Sequence, residues 1–346
     1  MTRPGLTPFE RPATPATVVV EARGLSKSFV LRTAWTDRLP RRGGPREIRA
    51  VDDVNFTIAR GRTLALVGES GCGKSTLARL MVGLETPTSG SAWVEGVDVA
   101  ATLAGPADAA RTLRRRMQMI FQDPYASLDP RWRIGDIVAE PLLEHGLILP
   151  AQAPARVAAL LASVGLQGAD VRQFPHQFSG GQRQRISIAR AIATGPEFLV
   201  CDEPTSALDV SVQAQVLNLL VDLQRERALA CLFISHNLVV VRYVADDVGV
   251  MYLGRIVELA PKAELFAAPR HPYTRMLQAA VPDLRSRERE RAPVLGELPD
   301  PLAPPPGCAF HPRCPHANGR CRVERPALLP SGAVQVACHA VEEGRL

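Results

Sequence analysis

Aromatic residues are scarce, at only 5% of the 346 positions. None interleaves with the basic clusters Arg111 to Arg116 and Arg285 to Arg291, so the chain lacks the stacking platform that single-stranded nucleic acid requires. The formal net charge of +6 therefore reads as a solvated surface, favoured beside an anionic membrane leaflet, and no nucleic-acid partner is expected. No apolar run reaches the ~18 to 20 residues of a membrane span. The first 17 residues are rich in Pro and Thr and contain no apolar signal core, so they are expected to be disordered and the chain to stay in the cytoplasm. Internal repeats and C-x2-C pairs are also missing. The length leaves room for a large domain and a smaller one, and an apolar fraction of 46% supports a sizeable core.

Against this background stands the run Gly68-Glu69-Ser70-Gly71-Cys72-Gly73-Lys74-Ser75-Thr76. It follows the apolar, strand-like Thr63 to Val67 and precedes a helical pattern from Lys74 to Met81. Glycines at 68, 71 and 73 let backbone N–H groups approach phosphate oxygens that a Cβ would block. Lys74 can reach the β- and γ-phosphates, Ser75 can offer a hydroxyl to Mg²⁺, and the helix N-terminus faces the phosphates. Alone, this phosphate loop allows kinases, GTPases, helicases and transporters.

Its partners narrow the choice. Glu197 to Cys201 reads as a second buried strand, ending in Asp202 and Glu203. Asp202 suits Mg²⁺ held through water, and Glu203 suits the polarisation of an attacking water. A third apolar strand, Leu232 to Ser235, ends in His236, placed to bond the γ-phosphate or to order the Glu203–water pair. Ser179-Gly180-Gly181-Gln182 opens another helical pattern. Two glycines at a helix start suit an anion, yet a cradle without its own lysine makes sense only over the nucleotide of another subunit. Otherwise it is a Gly-Gly turn capped by Ser179.

Together with Ile120 to Leu128, Phe178 to Ala191, Asp202 to Val210, Met251-Tyr252-Leu253-Gly254 and His271-Pro272-Tyr273-Thr274, these motifs resemble the ATP-binding cassette (ABC) ATPases. They are most similar to the second of the two ATPases of oligopeptide and dipeptide importers. The similarity spans roughly residues 18 to 339. It implies an α/β P-loop NTPase cassette over 18–268, with a mostly parallel core sheet, an antiparallel β subdomain and a helical subdomain, then an importer-type extension over 269–346. It also implies ATP and Mg²⁺ as cofactors, with Mg²⁺ at Ser75, Gln122 and Asp202. Lys74, Gln122, Glu203 and His236 are the implied catalytic set. Phe29 would stack on adenine, with residues 68 to 76 around the phosphates. Ser179 to Gln182 would reach ATP in trans, Gln122 would also link to the membrane subunits, and Asp209 would communicate across the dimer. The implied partners are a second, paralogous ATPase, two permease subunits and, indirectly, an extracytoplasmic binding protein. The implied place is the cytoplasmic face of the inner membrane. Importers of nickel, glutathione or opines would use a similar subunit, and a non-transport ABC ATPase is a more distant alternative. Phe178 and Asn237 depart from the usual leucine and aspartate, and neither is a required catalytic group.

Arg32 to Arg49 reads as a polar surface insertion, and Asp283 to Arg291 as a charged stretch without periodicity. Pro299 to Pro306 reads as an extended spacer before a tail carrying Cys308, Cys314, Cys321 and Cys338. Four thiols in a small cytosolic segment suggest a metal staple rather than disulfides. The spacing fits neither zinc ribbons nor common ferredoxin runs. The resemblance extends to a tail that carries a [4Fe–4S] cluster in some members, so that cluster is preferred, with zinc second and unligated cysteines third. His311, His316 and His339 lie near enough in sequence to substitute. Cys72, Cys201 and Cys231 read as small packing residues, although alkylation of Cys72 would block the loop by bulk.

Overall fold

The computed structural model describes residues 17–31, 46–280 and 299–346. The N-terminal stretch expected to be disordered lies outside the described residues, apart from its last position, as does the charged run Asp283 to Arg291. Positions 32–45 of the expected insertion also lie outside, while Arg46 to Arg49 open a strand instead.

Two sheets organise the described chain. The smaller contains β1 (Val18–Leu31), β2 (Arg46–Ala59), β4 (Ser89–Val94) and β5 (Val97–Asp98), ordered β2-β1-β4-β5 and antiparallel throughout. The larger runs β11-β12-β10-β9-β3-β8-β7-β6. Its members are β3 (Thr63–Val67), β6 (Met117–Ile120), β7 (Phe198–Asp202), β8 (Ala230–Ile234), β9 (Asp247–Tyr252), β10 (Arg255–Pro261), β11 (Leu329–Ser331) and β12 (Val334–Val336). From β9 to β6 the pairing is parallel, and from β9 to β11 it is antiparallel.

The central strands are apolar runs because both faces are covered. All five residues of β3, β7 and β8 are buried. Period two divides β3 between two cores. Leu64 and Leu66 pack with Phe56, Leu77 and Met81 beneath the antiparallel sheet. Ala65 and Val67 face the opposite core, shared with Ile137, Leu161 and Ile188 of the helices Ile134–Glu144, Ala153–Ser163 and Gly180–Ile192.

The C-terminal segment is built into this architecture. The hairpin β11–β12 extends the main sheet through Glu258–Val336 pairing. Phe310 is buried in the core that holds Tyr252 and Tyr273. The Glu258 carboxylate, inaccessible to solvent, accepts from the backbone N–H groups of Arg270 (2.8 Å) and His271 (3.0 Å). A buried carboxylate is tolerated because those donors meet it. Among the described residues, no helix is long and apolar enough to cross a membrane.

Candidate nucleotide site

In a parallel sheet, ligands gather beyond the carboxyl ends of the strands. Here the ends of β3, β8, β7 and β6 deliver the phosphate loop, His236, Asp202-Glu203 and Gln122 to one side. The phosphate loop, Gln122, Glu203 and His236 border a cleft of about 1270 Å³, with Ser70, Gly71 and Gly73 to Thr76 in its lining, whereas the buried Asp202 does not line it.

The loop is tightly packed. Gly73 has φ +103°, and a Cβ there would collide with the Ala50 carbonyl, so only glycine fits. The Cys72 carbonyl accepts from Gly254 N–H at 2.9 Å. The largely buried Lys74 folds back, its Nζ donating to the carbonyls of Gly68 (2.8 Å) and Glu69 (2.9 Å). A phosphate entering the loop would compete with those bonds.

Ser75 Oγ donates to Asp202 Oδ1 at 3.0 Å, joining the loop to the end of β7. Burial pushes the Asp202 carboxyl up from its ordinary value; the Ser75 bond opposes this and the Glu203 charge adds to it. The next residue, Glu203, has a left-handed backbone, φ +45°, a conformation that costs energy for a side-chain-bearing residue and clusters at functional sites. Its N–H bonds the Ile234 carbonyl at 3.0 Å. The carboxylate oxygen Oε2 lies 3.1 Å from His236 Nδ1 and accepts from Gln122 Nε2 at 3.4 Å. Two residues far apart in sequence thus converge on one oxygen of a third.

Other expected site residues lie elsewhere. Gly68, Glu69 and Cys72 are not among the cleft-lining residues, although they shape the loop. The Glu69 carboxylate is held by Arg313. Cys72 is buried, and burial pushes its thiol up despite Lys74, its Nζ 3.5 Å from the sulfur. Phe29 sits half-buried on β1 opposite Ile48, its ring centroid 5.0 Å from the Lys27 ammonium, and does not line the cleft, although Ile48 does. Ser179 to Gln182 are also outside it. Ser179 Oγ accepts from Gln182 N–H (3.3 Å), and Gln182 Oε1 accepts from Ser179 N–H (2.9 Å), a reciprocal cap. A Cβ on Gly181 would collide with Val212, so that glycine lets the helix Gly180–Ile192 approach the helix Val210–Arg227. Asp209 caps the latter without a side-chain bond. Asn237, the departure beside His236, caps the helix Leu238–Val244 by accepting from Val239 N–H (2.9 Å).

The metal expected at the cysteine tail finds no support in the geometry. Cys308, Cys314, Cys321 and Cys338 are all unbridged. Cys308 N–H bonds the Cys321 carbonyl at 2.9 Å. Burial, with the other three cysteines adding, pushes the Cys308 thiol up to about 11, and burial also raises Cys314 and Cys338. Among the described residues, no group of three or more His, Cys, Asp or Glu side chains is placed to hold a metal ion. The thiols share a neighbourhood without forming a ligand set, so the geometry gives no support to the expected [4Fe–4S] cluster or to zinc. The histidines do not complete one. His339 Nε2 lies 3.0 Å from the Glu324 carbonyl, and His311 Nδ1 lies 3.0 Å from that of Cys308. The tail is held instead by Phe310 in the core and by Arg320, which pairs with Glu324, Glu342 and Glu343.

Sequence reasoning assigned no role to Arg313 or Tyr273, both of which grip Glu69. The His-Pro-Tyr-Thr run was a signal without a partner, since nothing local points from residue 273 back to residue 69.

A phosphate loop joined through a strand-end aspartate to a Glu–His–Gln cluster defines a P-loop nucleotide hydrolase. Residues 51–206 match the family described as ABC transporter, and 257–321 match the oligopeptide/dipeptide transporter C-terminal region. The chain is 52% identical over 301 residues to the di/tripeptide transport ATP-binding protein DppF of Pseudomonas aeruginosa (strain UCBPP-PA14), covering 87% of this chain and 92% of that one. It is 46% identical over 325 residues to the oligopeptide transport ATP-binding protein AppF of Bacillus subtilis (strain 168), covering 93% and 97%. Among solved structures it is similar to the dimeric ATP-binding cassette MJ0796 in a post-hydrolysis state with ADP and Pi. That likeness has TM-score 0.60 and 25% identity over 70% of this chain and 98% of that one. The chain belongs to the ABC transporter family, among the ATP-binding proteins of its oligopeptide/dipeptide branch. It is an ATP-hydrolysing cassette.

Proposed function

We propose that this chain energises import of di- or oligopeptides by hydrolysing ATP on the cytoplasmic face of the inner membrane. The hydrolytic reading is carried by the convergence of His236 and Gln122 on Glu203 above the phosphate loop. The peptide reading is supported by the match of 257–321 and by the relatives' names.

In this reading Lys74 leaves the Gly68 and Glu69 carbonyls for the phosphates, and the loop amides hold the remaining oxygens. Ser75, Gln122 and Asp202 would hold Mg²⁺, which supplies charge neutralisation when bound. The donor set fits, being hydroxyl, amide and carboxylate. Glu203 orients and polarises the attacking water, and His236 fixes the carboxylate. Phe29, outside the cleft but paired with the cleft-lining Ile48, would meet adenine. The absence of Ser179 to Gln182 from the cleft supports their use in trans, over ATP held by a paralogous cassette, with Asp209 at that junction. Two permease subunits and an extracytoplasmic binding protein complete the importer, with the cassette spanning 18–268 and its extension 269–346. No step uses a metal at the tail cysteines. Iron, sulfide and zinc analysis of chain purified without oxygen decides between a [4Fe–4S] cluster, zinc and no metal.

The test is reconstitution with the partner cassette and permease, and measurement of ATP-dependent uptake. Peptide uptake lost in Glu203→Gln is expected. Uptake of nickel, glutathione or opines instead would overturn the peptide assignment, and recovery with ribosomes or DNA instead of membrane subunits would overturn transport.

A further inference from the structure

The phosphate loop is gripped from outside at Glu69, and both grips come from the C-terminal region. Arg313 meets the Glu69 carboxylate in a bidentate pair, Nη1 to Oε2 at 2.7 Å and Nη2 to Oε1 at 2.9 Å. The Tyr273 hydroxyl accepts from the Glu69 N–H at 2.9 Å. Within the loop, the Glu69 carbonyl accepts from Lys74 Nζ at 2.9 Å and from Cys72 N–H at 3.3 Å. Backbone and side chain are therefore both anchored, across 244 and 204 positions of sequence.

The anchors are themselves packed into the core. The Arg313 side chain is 2% exposed, against 27% for Glu69. Its guanidinium lies 5.9 Å and 6.0 Å from the ring centroids of Tyr252 and Phe310. Those rings pack edge-on, at 5.4 Å, and Tyr252 packs on Tyr273 at 4.7 Å. A chain with four tyrosines places two of them here. Bidentate charge-assisted pairs fix orientation as well as position, and a binding loop ordered in advance avoids the cost of ordering it when ligand arrives.

We infer that Arg313 is a positioning residue for ATP: through Glu69 it holds the phosphate loop in its phosphate-binding conformation, making the C-terminal region a working part of the nucleotide site. This rests on the proposed ATP site and extends it to a residue that does not touch nucleotide. Because the brace acts on the empty loop, its loss weakens ATP capture more than turnover of ATP already bound.

A double-mutant cycle on the full chain tests this, with MgATP affinity read by equilibrium binding and kcat and KM read in the assembled importer. Arg313→Gln and Glu69→Gln are each expected to weaken MgATP binding about tenfold, with a smaller fractional loss in kcat at saturating ATP. The double variant is expected to be no worse than either single, because both remove one interaction. Arg313→Lys, which keeps the charge and loses the fork, falls between. Single variants that bind MgATP as wild type does, an additive double variant, or a loss confined to kcat would each overturn the inference. Should Arg313→Gln fail to fold, Glu69→Gln decides alone, since its near-isosteric amide sits on a partly exposed side chain. Wild-type chain that fails to bind MgATP would sink the ATP site itself, whereas wild-type binding with unaffected variants would sink only the brace.

Discussion

His236 Nδ1 lies 3.1 Å from Glu203 Oε2, a contact between the residue that opens the left-handed turn after β7 and one just beyond β8. The strands are neighbours in the sheet, so their adjacent ends bring imidazole and carboxylate together. The pair has a direct kinetic consequence. Glu203→Gln keeps the side-chain shape and removes the proposed base, so MgATP binding is expected to persist while kcat falls about 10²- to 10⁴-fold. His236→Ala is expected to lower kcat in the same direction with a smaller effect on KM. Single-turnover hydrolysis beside equilibrium binding checks both.

Gly73→Ala is expected to damage the loop at its base. The substitution places a Cβ against the Ala50 carbonyl at φ +103°. Backbone strain of this kind costs about 1–3 kcal/mol, before the steric clash is counted. Lowered thermal stability and lost MgATP binding together are the expected result, measured by unfolding with and without nucleotide.

Acid stability should carry the mark of His271. The ring is buried, its Nδ1 accepts from Tyr273 N–H at 3.0 Å, and it also bonds the main chain of Ala337. Burial pushes its pKa down to about 3, from an ordinary 6.5. Between those values the unfolded chain binds the extra proton and the folded chain does not. The contribution is therefore complete above pH 6.5 and declines as pH falls toward 3, by up to about 1.4 kcal/mol per pH unit. His271→Asn retains a cap acceptor without titrating, so its urea-unfolding free energy should fall less between pH 7 and pH 5.

The thiol of Cys308 should be sluggish. With its pKa pushed up to about 11 by burial and by the neighbouring cysteines, little thiolate exists at neutral pH, and thiolate is the nucleophile. Alkylation by iodoacetamide, followed by peptide mass mapping, should be slow at pH 7 and accelerate tenfold per pH unit up to about pH 11. Cys72, buried in the phosphate loop with a raised pKa, should also resist, contrary to its use as a simple alkylation target.

Much was legible locally. The run from Gly68 to Thr76 reads as a phosphate loop because its glycines, lysine and hydroxyl act on a neighbouring ligand through local backbone geometry. Thr63 to Val67 reads as a strand because its residues are apolar, and the two-residue period that divides them between cores is inherent in strand geometry. Asp202, Glu203 and His236 stood out because each lies at or just beyond the end of a buried strand. The cysteines misled. Four in a short tail imply a shared centre, but whether thiols converge at ligand distance depends on packing that spacing does not encode. Here Phe310 in the core, the Arg313–Glu69 pair and the Glu258–Val336 pairing hold the segment to the cassette.

The sequence by itself determined the nucleotide chemistry and the alternation of strand and helix, since both depend on residue types within a few positions of one another. Only the tertiary structure decided what surrounds that chemistry. It set the strand order that joins Gln122 and His236 at one carboxylate oxygen, excluded Ser179 to Gln182 from their own chain's cleft, and brought Arg313 and Tyr273 to Glu69. Those relationships span from 33 to 244 positions. Long-range contacts of this kind are selected by the burial of whole faces and by the order of strands in the sheet, and no local pattern of residues reports them.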